Sequence, residues 1–446
     1  MARVPQTPAE EPETQPSQRR EILALAIPAF ATLVSEPLLL ITDTAIVGHL
    51  GTTELAGLAL ATNVLTLLTG LCVFLAYGTT ATVARRLGAG ARGRALSGGF
   101  DGMVLAAIIG VVLTALLLVF LRPSLALFGA APEVLDAAVS YLRVAALALT
   151  PMLVMLAATG VLRGLQDTRT PLYVAIGANV ANAVLNVVLV YGAGLGLVGA
   201  AIGTVIAQTA ATAILVGVVL RGMRAEHVRP TLHLGGVLAA ARDGGWLLVR
   251  TITLRASILL TVVVATQIGS VALAAHQVAM SVWNLLTFAM DALAIAAQAI
   301  IGRHLGAADA ARVRASTRIM VRWGIGAGVI FAVGIVALSP WLPWLFTTDP
   351  EVQAQVRLAL WVVAATQPIS GVVFVLDGVL IGAGDGRYLA KAGLITLLCY
   401  APLAIAVSLA GLGLVWLWVA YGVFMAARGV TLVLRARTDH WMRLGD

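Results

Sequence analysis

A chain of 446 residues, 60% of them hydrophobic and only 11% charged, cannot clothe a soluble core, because globular proteins carry about a quarter charged residues. The net charge of +8 comes from basic residues scattered between apolar runs, with no basic stripe carrying stacking aromatics, which excludes a nucleic-acid partner. The composition is that of an integral membrane protein, with lipid as its surrounding partner.

The first 20 residues are polar, with Pro5, Pro8, Pro12 and Pro16, and read as a disordered tail; no apolar core of a signal peptide precedes a small-residue cleavage site. Twelve apolar spans follow, beginning near Ile22, Leu55, Gly98, Leu135, Pro171, Leu195, Gly245, Ala272, Thr317, Ala354, Tyr388 and Leu412. The expected division is a tail (1–20), an N-lobe of six helices (21–221), a linker (222–242), a C-lobe of six helices (243–437) and a second tail (438–446). Arginines such as Arg85, Arg86, Arg92, Arg94, Arg163 and Arg303 concentrate on the N-tail side and in every second loop, whereas the alternate loops hold Arg122. By the positive-inside rule both termini are expected in the cytoplasm. Cys72 and Cys399 lie in separate spans and offer neither a metal nor a redox motif.

The chain also repeats itself. "GVLRGLQDTR" at Gly160 and "GVLIGAGDGR" at Gly378 agree at six of ten positions across an offset of 218 residues, and the same offset pairs "RRLGA" at Arg85 with "RHLGA" at Arg303. Near the end the offset slips to 217, pairing "GLGLV" at Gly194 with "GLGLV" at Gly411. Six spans per copy is an even number, so both copies enter the membrane from one side and form parallel lobes about an axis along the membrane normal. That is a transporter architecture. The fold class is therefore all-α, with twelve transmembrane helices in two parallel six-helix repeats.

The intramembrane acids break the repeat. Glu36 and Asp43 pair with Leu254 and Thr261, Asp291 with Val73, and Asp377 with Thr159. The fold is made without each of them, so they are candidates for function. In "SEPLLLITD", Glu36 and Asp43 lie seven residues apart on one helical stripe, separated by about 10 Å along the axis. Pro37 removes one backbone hydrogen bond and marks a place where helix 1 can bend. A buried carboxylate is costly unless paired, protonated or wetted, so a group so placed can exchange a proton for another ligand. By depth, Asn182 and Asn186 of span 5 and Thr204 of span 6 can meet Asp43 in the outer half of the N-lobe; helix–helix hydrogen bonding is the simpler role for these three. Arg255, Asp291 and Asp377 form a second candidate polar cluster in the C-lobe, with Arg255 as a neutralising charge. His276 reads as an interfacial or packing residue and Glu54 as a helix cap or interface residue.

"EPLLLITDTAIVGHLG", "GVLRGLQDTRTPL", "LRASILL" and "LDGVLIGAGD" together resemble the multidrug and toxic compound extrusion (MATE) family, in its DinF branch, over nearly the whole chain after the N-tail. The resemblance implies a V-shaped pair of bundles in the bacterial plasma membrane. It also implies export of amphipathic, often cationic small molecules in exchange for protons or sodium, with Asp43 binding the coupling ion and Asn182, Asn186 and Thr204 around it. Some members carry an aspartate where Asn186 stands, so this chain has one acid fewer there, which favours protons over sodium. A monomer with no cofactor, no bound metal and no catalytic residue is expected. Within the same superfamily a lipid-linked oligosaccharide flippase is the alternative, and it calls for a cationic cavity, whereas the candidate groups here are mainly acids. An enzyme would need a nucleophile–base set or metal motif on sizeable loops, and a channel a through-going polar ring; neither pattern is present.

Overall fold

The computed structural model describes residues 15–445, with side-chain detail from 18 onward. Among the described residues, twelve helices are long and apolar enough to cross a membrane: α1 (Gln15–Gly48), α2 (Thr52–Gly88), α3 (Arg92–Val119), α4 (Pro132–Gly164), α5 (Arg169–Gly192) and α6 (Gly196–Ala225) in the first lobe, and α7 (Leu234–Ile268), α8 (Ser270–Gly306), α9 (Ala310–Leu338), α10 (Pro350–Gly382), α11 (Gly386–Leu409) and α12 (Leu414–Ala436) in the second. The described residues contain no strand. Helices suit lipid because each satisfies its backbone polar groups within its own segment.

Two boundaries differ from the sequence reading. Residues 15–20, assigned to the tail, already form the first turns of α1, since Arg19 and Arg20 are good helix formers and the helix extends beyond its apolar part. The remaining tail residues, 1–14, lie outside the described residues. The linker of 222–242 shrinks to 226–233, because α6 runs on to Ala225 and α7 begins at Leu234. The Arg242–Asp243 pair and neighbouring glycines look like a loop in sequence, yet they sit inside the first turns of a 35-residue helix.

An even number of spans brings both chain ends to one side, here called the terminal face; the opposite side is the distal face. Near the terminal face the lobes touch backbone to backbone at two repeat-related glycines. A Cβ on Gly88 would meet the Arg303 carbonyl oxygen at 1.9 Å, and one on Gly306 would meet the Arg85 carbonyl oxygen at 1.8 Å. The pseudo-twofold relation extends to side chains. Arg303 donates to Gln166 Oε1 at 2.8 Å and Glu21 Oε1 at 3.2 Å. Arg85 donates to the carbonyl oxygens of Ala383 (3.3 Å), Gly445 (2.7 Å) and Arg443. Each lobe thus sends one arginine into the loop end of the other, and the C-terminal segment is held in the same seam. Ala29 and Leu33 of α1 pack on Ala292 and Ile295 of α8 just beyond it. The farthest close inter-lobe approach toward the distal face is that of Arg255 to Gly70 of α2; the space between the lobes beyond it is here called the cleft.

Glycine at 306 is therefore a contact requirement. Gly306→Val should keep the fold of each lobe but prevent the terminal face from closing, with transport falling at least about tenfold. Cysteine accessibility at that face would check this, and an unchanged closed face would show that the seam can absorb a side chain.

Candidate functional site

The N-lobe acid sits where three helices converge in the distal half. Asp43 lies five residues before the end of α1 and is only 5% exposed. Asn186 of α5 donates from Nδ2 to Asp43 Oδ1 at 2.8 Å and to Asn182 Oδ1 at 3.0 Å. Asn182 in turn donates from Nδ2 to the Thr204 hydroxyl of α6 at 3.1 Å, and that hydroxyl donates to the Ala200 carbonyl oxygen. Both asparagines are buried, with Asn186 fully enclosed. They fall one turn apart on α5, which is what puts both amides on the α1-facing stripe. Small residues allow the approach: a Cβ on Gly203 would overlap Asn186 Oδ1 at 2.1 Å.

The donor arithmetic of this group is informative. Both hydrogens of the Asn186 amide are used, so Asp43 receives a single neutral hydrogen bond there, while Asn186 Oδ1 is buried without any partner. A proton on Asp43 would relieve both defects, since a carboxylic acid can donate to an acceptor and no longer needs two donors.

Two participants escaped the sequence reading. Asn179, three residues before Asn182, donates from Nδ2 to the Ser35 carbonyl oxygen of α1 at 2.8 Å, so the polar stripe of α5 runs from 179 through 186. Its spacing of three and seven from the other asparagines was the available signal. Tyr141 of α4, 2% exposed, turns its phenol toward Thr204 and the Asp43 charge. Pro37 lies inside α1 with helix on both sides, as does Pro28, so the helix passes both prolines without a break.

Glu36, about two turns toward the terminal face, is not part of this group. It is exposed to the cleft and lies in the electrostatic reach of Arg255 of α7.

The C-lobe cluster is assembled differently from the expectation. Asp377 of α10 pairs with Arg250 of α7, and Arg428 of α12 stands 3.8 Å from the same carboxylate; all three side chains are nearly buried. Arg255 is not in that group. It extends across the cleft, where a Cβ on Gly70 of α2 would meet its Nη2 at 2.7 Å. Asp291 lies among the charges of Arg250, Arg428, Arg163 and Arg255. Arg163, grouped with loop arginines in the sequence reading, is 8% exposed inside α4. The interior polar groups are therefore mixed in charge: Glu36, Asp43, Asp101, Asp291 and Asp377 stand with Arg163, Arg250, Arg255 and Arg428. Whether an arginine on a helix is buried is invisible until the packing of the neighbours is known.

The repeat-related position of the N-lobe group is filled by aromatics. Thr261 and Tyr400, the counterparts of Asp43 and Asn182, share a hydroxyl–hydroxyl hydrogen bond of 2.6 Å, and Tyr400 meets Tyr421, the counterpart of Thr204, edge-on at 6.0 Å between centroids. His276, fully buried, packs 5.5 Å from Trp418. Moving the acid should therefore fail: Asp43→Thr with Thr261→Asp places a carboxylate among phenols with no amide donor. The double variant should lose transport, and retained transport in vesicles would show that the acid's lobe is immaterial.

Comparison with known proteins fits this two-lobe design. The MatE family model matches the chain twice, over residues 28–188 and 247–406, one match for each repeat. The chain belongs to the MATE (MatE) family. It is 31% identical over 443 residues to Protein DETOXIFICATION 44, chloroplastic, of Arabidopsis thaliana, covering 95% of this chain and 84% of that protein. It is 28% identical over 440 residues to DNA damage-inducible protein F of Escherichia coli (strain K12), covering 95% and 93%. Its fold superposes with a TM-score of 0.87 on the Vibrio cholerae MATE transporter VcmN in the bent form, at 22% identity and with 96% and 98% of the two chains covered. A MATE protein is a multi-pass membrane transporter of small molecules, not an enzyme.

Proposed function

We propose that this MATE protein is a secondary active multidrug exporter that moves amphipathic compounds out of the cell in exchange for protons. The observation that carries the proposal is the Asp43 group: a buried acid with one neutral donor, beside a buried acceptor that lacks a donor. Such a group is built for a proton to arrive and leave. A sodium ion would need five or six oxygens drawn in together, and here the amide hydrogens of Asn182 and Asn186 already occupy Thr204 and Asn182.

The arginines of the terminal face support, by the positive-inside rule, our reading that this face is cytoplasmic; we take the membrane to be a bacterial plasma membrane. On that assignment the cleft opens outward and the glycine seam is the closed inner gate. Tags at either end should then be reachable from inside only; labelling of either from outside intact cells would reverse the topology.

In the cycle we envisage, Asp43 takes a proton from the outer side through the cleft. Neutralised, it ceases to favour a cation or its surrounding water, and α1, α5 and α6 can pack more tightly. The opposed lobes then rock so that the proton leaves inward and substrate is loaded. Vesicles with imposed gradients test this. Substrate movement should follow a pH gradient, and a sodium gradient alone at fixed pH should drive none.

The alternative of a lipid-linked oligosaccharide flippase calls for an excess of buried positive charge. The interior here has no such excess, since Glu36, Asp43, Asp101, Asp291 and Asp377 stand with Arg163, Arg250, Arg255 and Arg428, which favours a small amphipathic substrate.

A further inference from the structure

Two opposite charges face each other inside the membrane with no protein partner. Glu36 on α1 of the N-lobe and Arg255 on α7 of the C-lobe are both exposed to the cleft. Among the described residues neither side chain forms a hydrogen bond or an ion pair, to the other or to any other group, although each lies in the other's field. The Arg255 guanidinium reaches the opposite lobe, where its Nη2 lies over Gly70 of α2. Of the other interior charges, Asp377 is bound to Arg250 and approached by Arg428, and Asp43 is bound to Asn186; Asp291 and Arg163, also without a hydrogen bond or ion pair among the described residues, lie in each other's field, and Asp291 also in those of Arg250 and Arg428. An unpaired charge at membrane depth is expensive, and such residues mark a ligand path.

From this pair we infer that the cleft selects zwitterionic amphiphiles, molecules that carry a cationic centre and a carboxylate on one apolar scaffold. Glu36 takes the cationic centre and Arg255 the carboxylate, for which its planar fork is the matched donor. A purely cationic ligand satisfies Glu36 and leaves Arg255 unpaired beside it, adding repulsion. A purely anionic ligand has the converse defect. A zwitterion neutralises both walls and spans the two lobes, so its affinity is tied to their separation and it can be released when they rock apart. Arg255 is thus a specificity residue, distinct from the coupling group at Asp43. The inference rests on the reading of the cleft as a substrate path.

The test uses a cationic rhodamine ester and its free-acid form, which share a ring system and differ by one carboxylate. Binding to the purified full chain in nanodiscs is followed by fluorescence anisotropy, and transport in vesicles under a pH gradient. The wild type should bind the free acid at least about tenfold more tightly than the ester. Arg255→Gln should abolish that preference, leaving ester binding equal or improved, and Glu36→Gln should weaken both dyes. The double variant Glu36→Arg with Arg255→Glu should regain a preference for the free acid. Equal binding of the two dyes by the wild type, or a loss of both on Arg255→Gln, would overturn the inference whether or not transport is seen. Transport of neither dye, with the binding preference intact, would instead count against the exporter reading.

Discussion

Asp43→Asn is expected to leave the protein folded and inserted while abolishing proton-driven export, a loss of at least about a hundredfold. The amide has the shape of the protonated acid and keeps a neutral partner for Asn186, so the packing of α1, α5 and α6 is undisturbed. It cannot release a proton, so the site stays in one of its two states. The driving force lost is substantial: one proton crossing ~100 mV yields about 2.3 kcal/mol, enough for roughly a fiftyfold concentration ratio of a neutral substrate. Substrate binding should survive, because Glu36 and Arg255 lie elsewhere in the cleft. Glu36→Gln should reduce transport less severely and leave proton coupling intact. Pre-equilibrated binding and gradient-driven uptake, measured on the same purified Asp43→Asn preparation, separate the two properties. Normal pH-driven transport by this variant would sink the coupling role and point to Asp291 as the next acid to test.

The second large effect is on stability. Asp377 is the counter-ion of two nearly buried arginines, one of which, Arg250, also lies 5.8 Å over the ring of Tyr77 in the other lobe. Removing one member of a buried pair leaves an uncompensated charge, which costs about 3–5 kcal/mol. Asp377→Leu leaves both Arg250 and Arg428 without it. This variant should show a markedly lower unfolding midpoint in detergent and reduced yield in membranes. Adding Arg250→Met should recover more than half of the loss, since an apolar pair of similar volume is often neutral. An unchanged midpoint for Asp377→Leu would mean that the arginines find water through the cleft.

How far the sequence led can be judged from these two sites. The repeat was legible because 218 residues separate matched helix ends, and an even span number then dictates parallel lobes. The Asp43 group was legible because its members stand one turn apart on α5 and at equal depth on α1 and α6. Depth and periodicity are properties of a single helix, and a sequence carries them. The C-lobe ion network was not legible, because Arg250 on α7, Asp377 on α10 and Arg428 on α12 meet only through the packing of three helices far apart in the chain. Arg255 shows the same limit: its position on α7 was plain, but whether it turned toward Asp377 or across the cleft depended on where Gly70 left room. The early start of α7 was hidden for a different reason, since four glycines and the charged Arg242–Asp243 pair interrupt the apolar run of its first turns.

The central claim is that this chain exchanges protons for substrate through Asp43. The most direct measurement is proton movement itself, read from a pH-sensitive dye sealed inside vesicles reconstituted with the wild type and with Asp43→Asn. With the protein oriented by accessible terminal tags and no sodium present, adding substrate to the cytoplasmic side should produce a counterflow of protons in the wild type and none in the variant. Substrate movement without any proton flux, or proton flux of equal size in both proteins, would contradict the account.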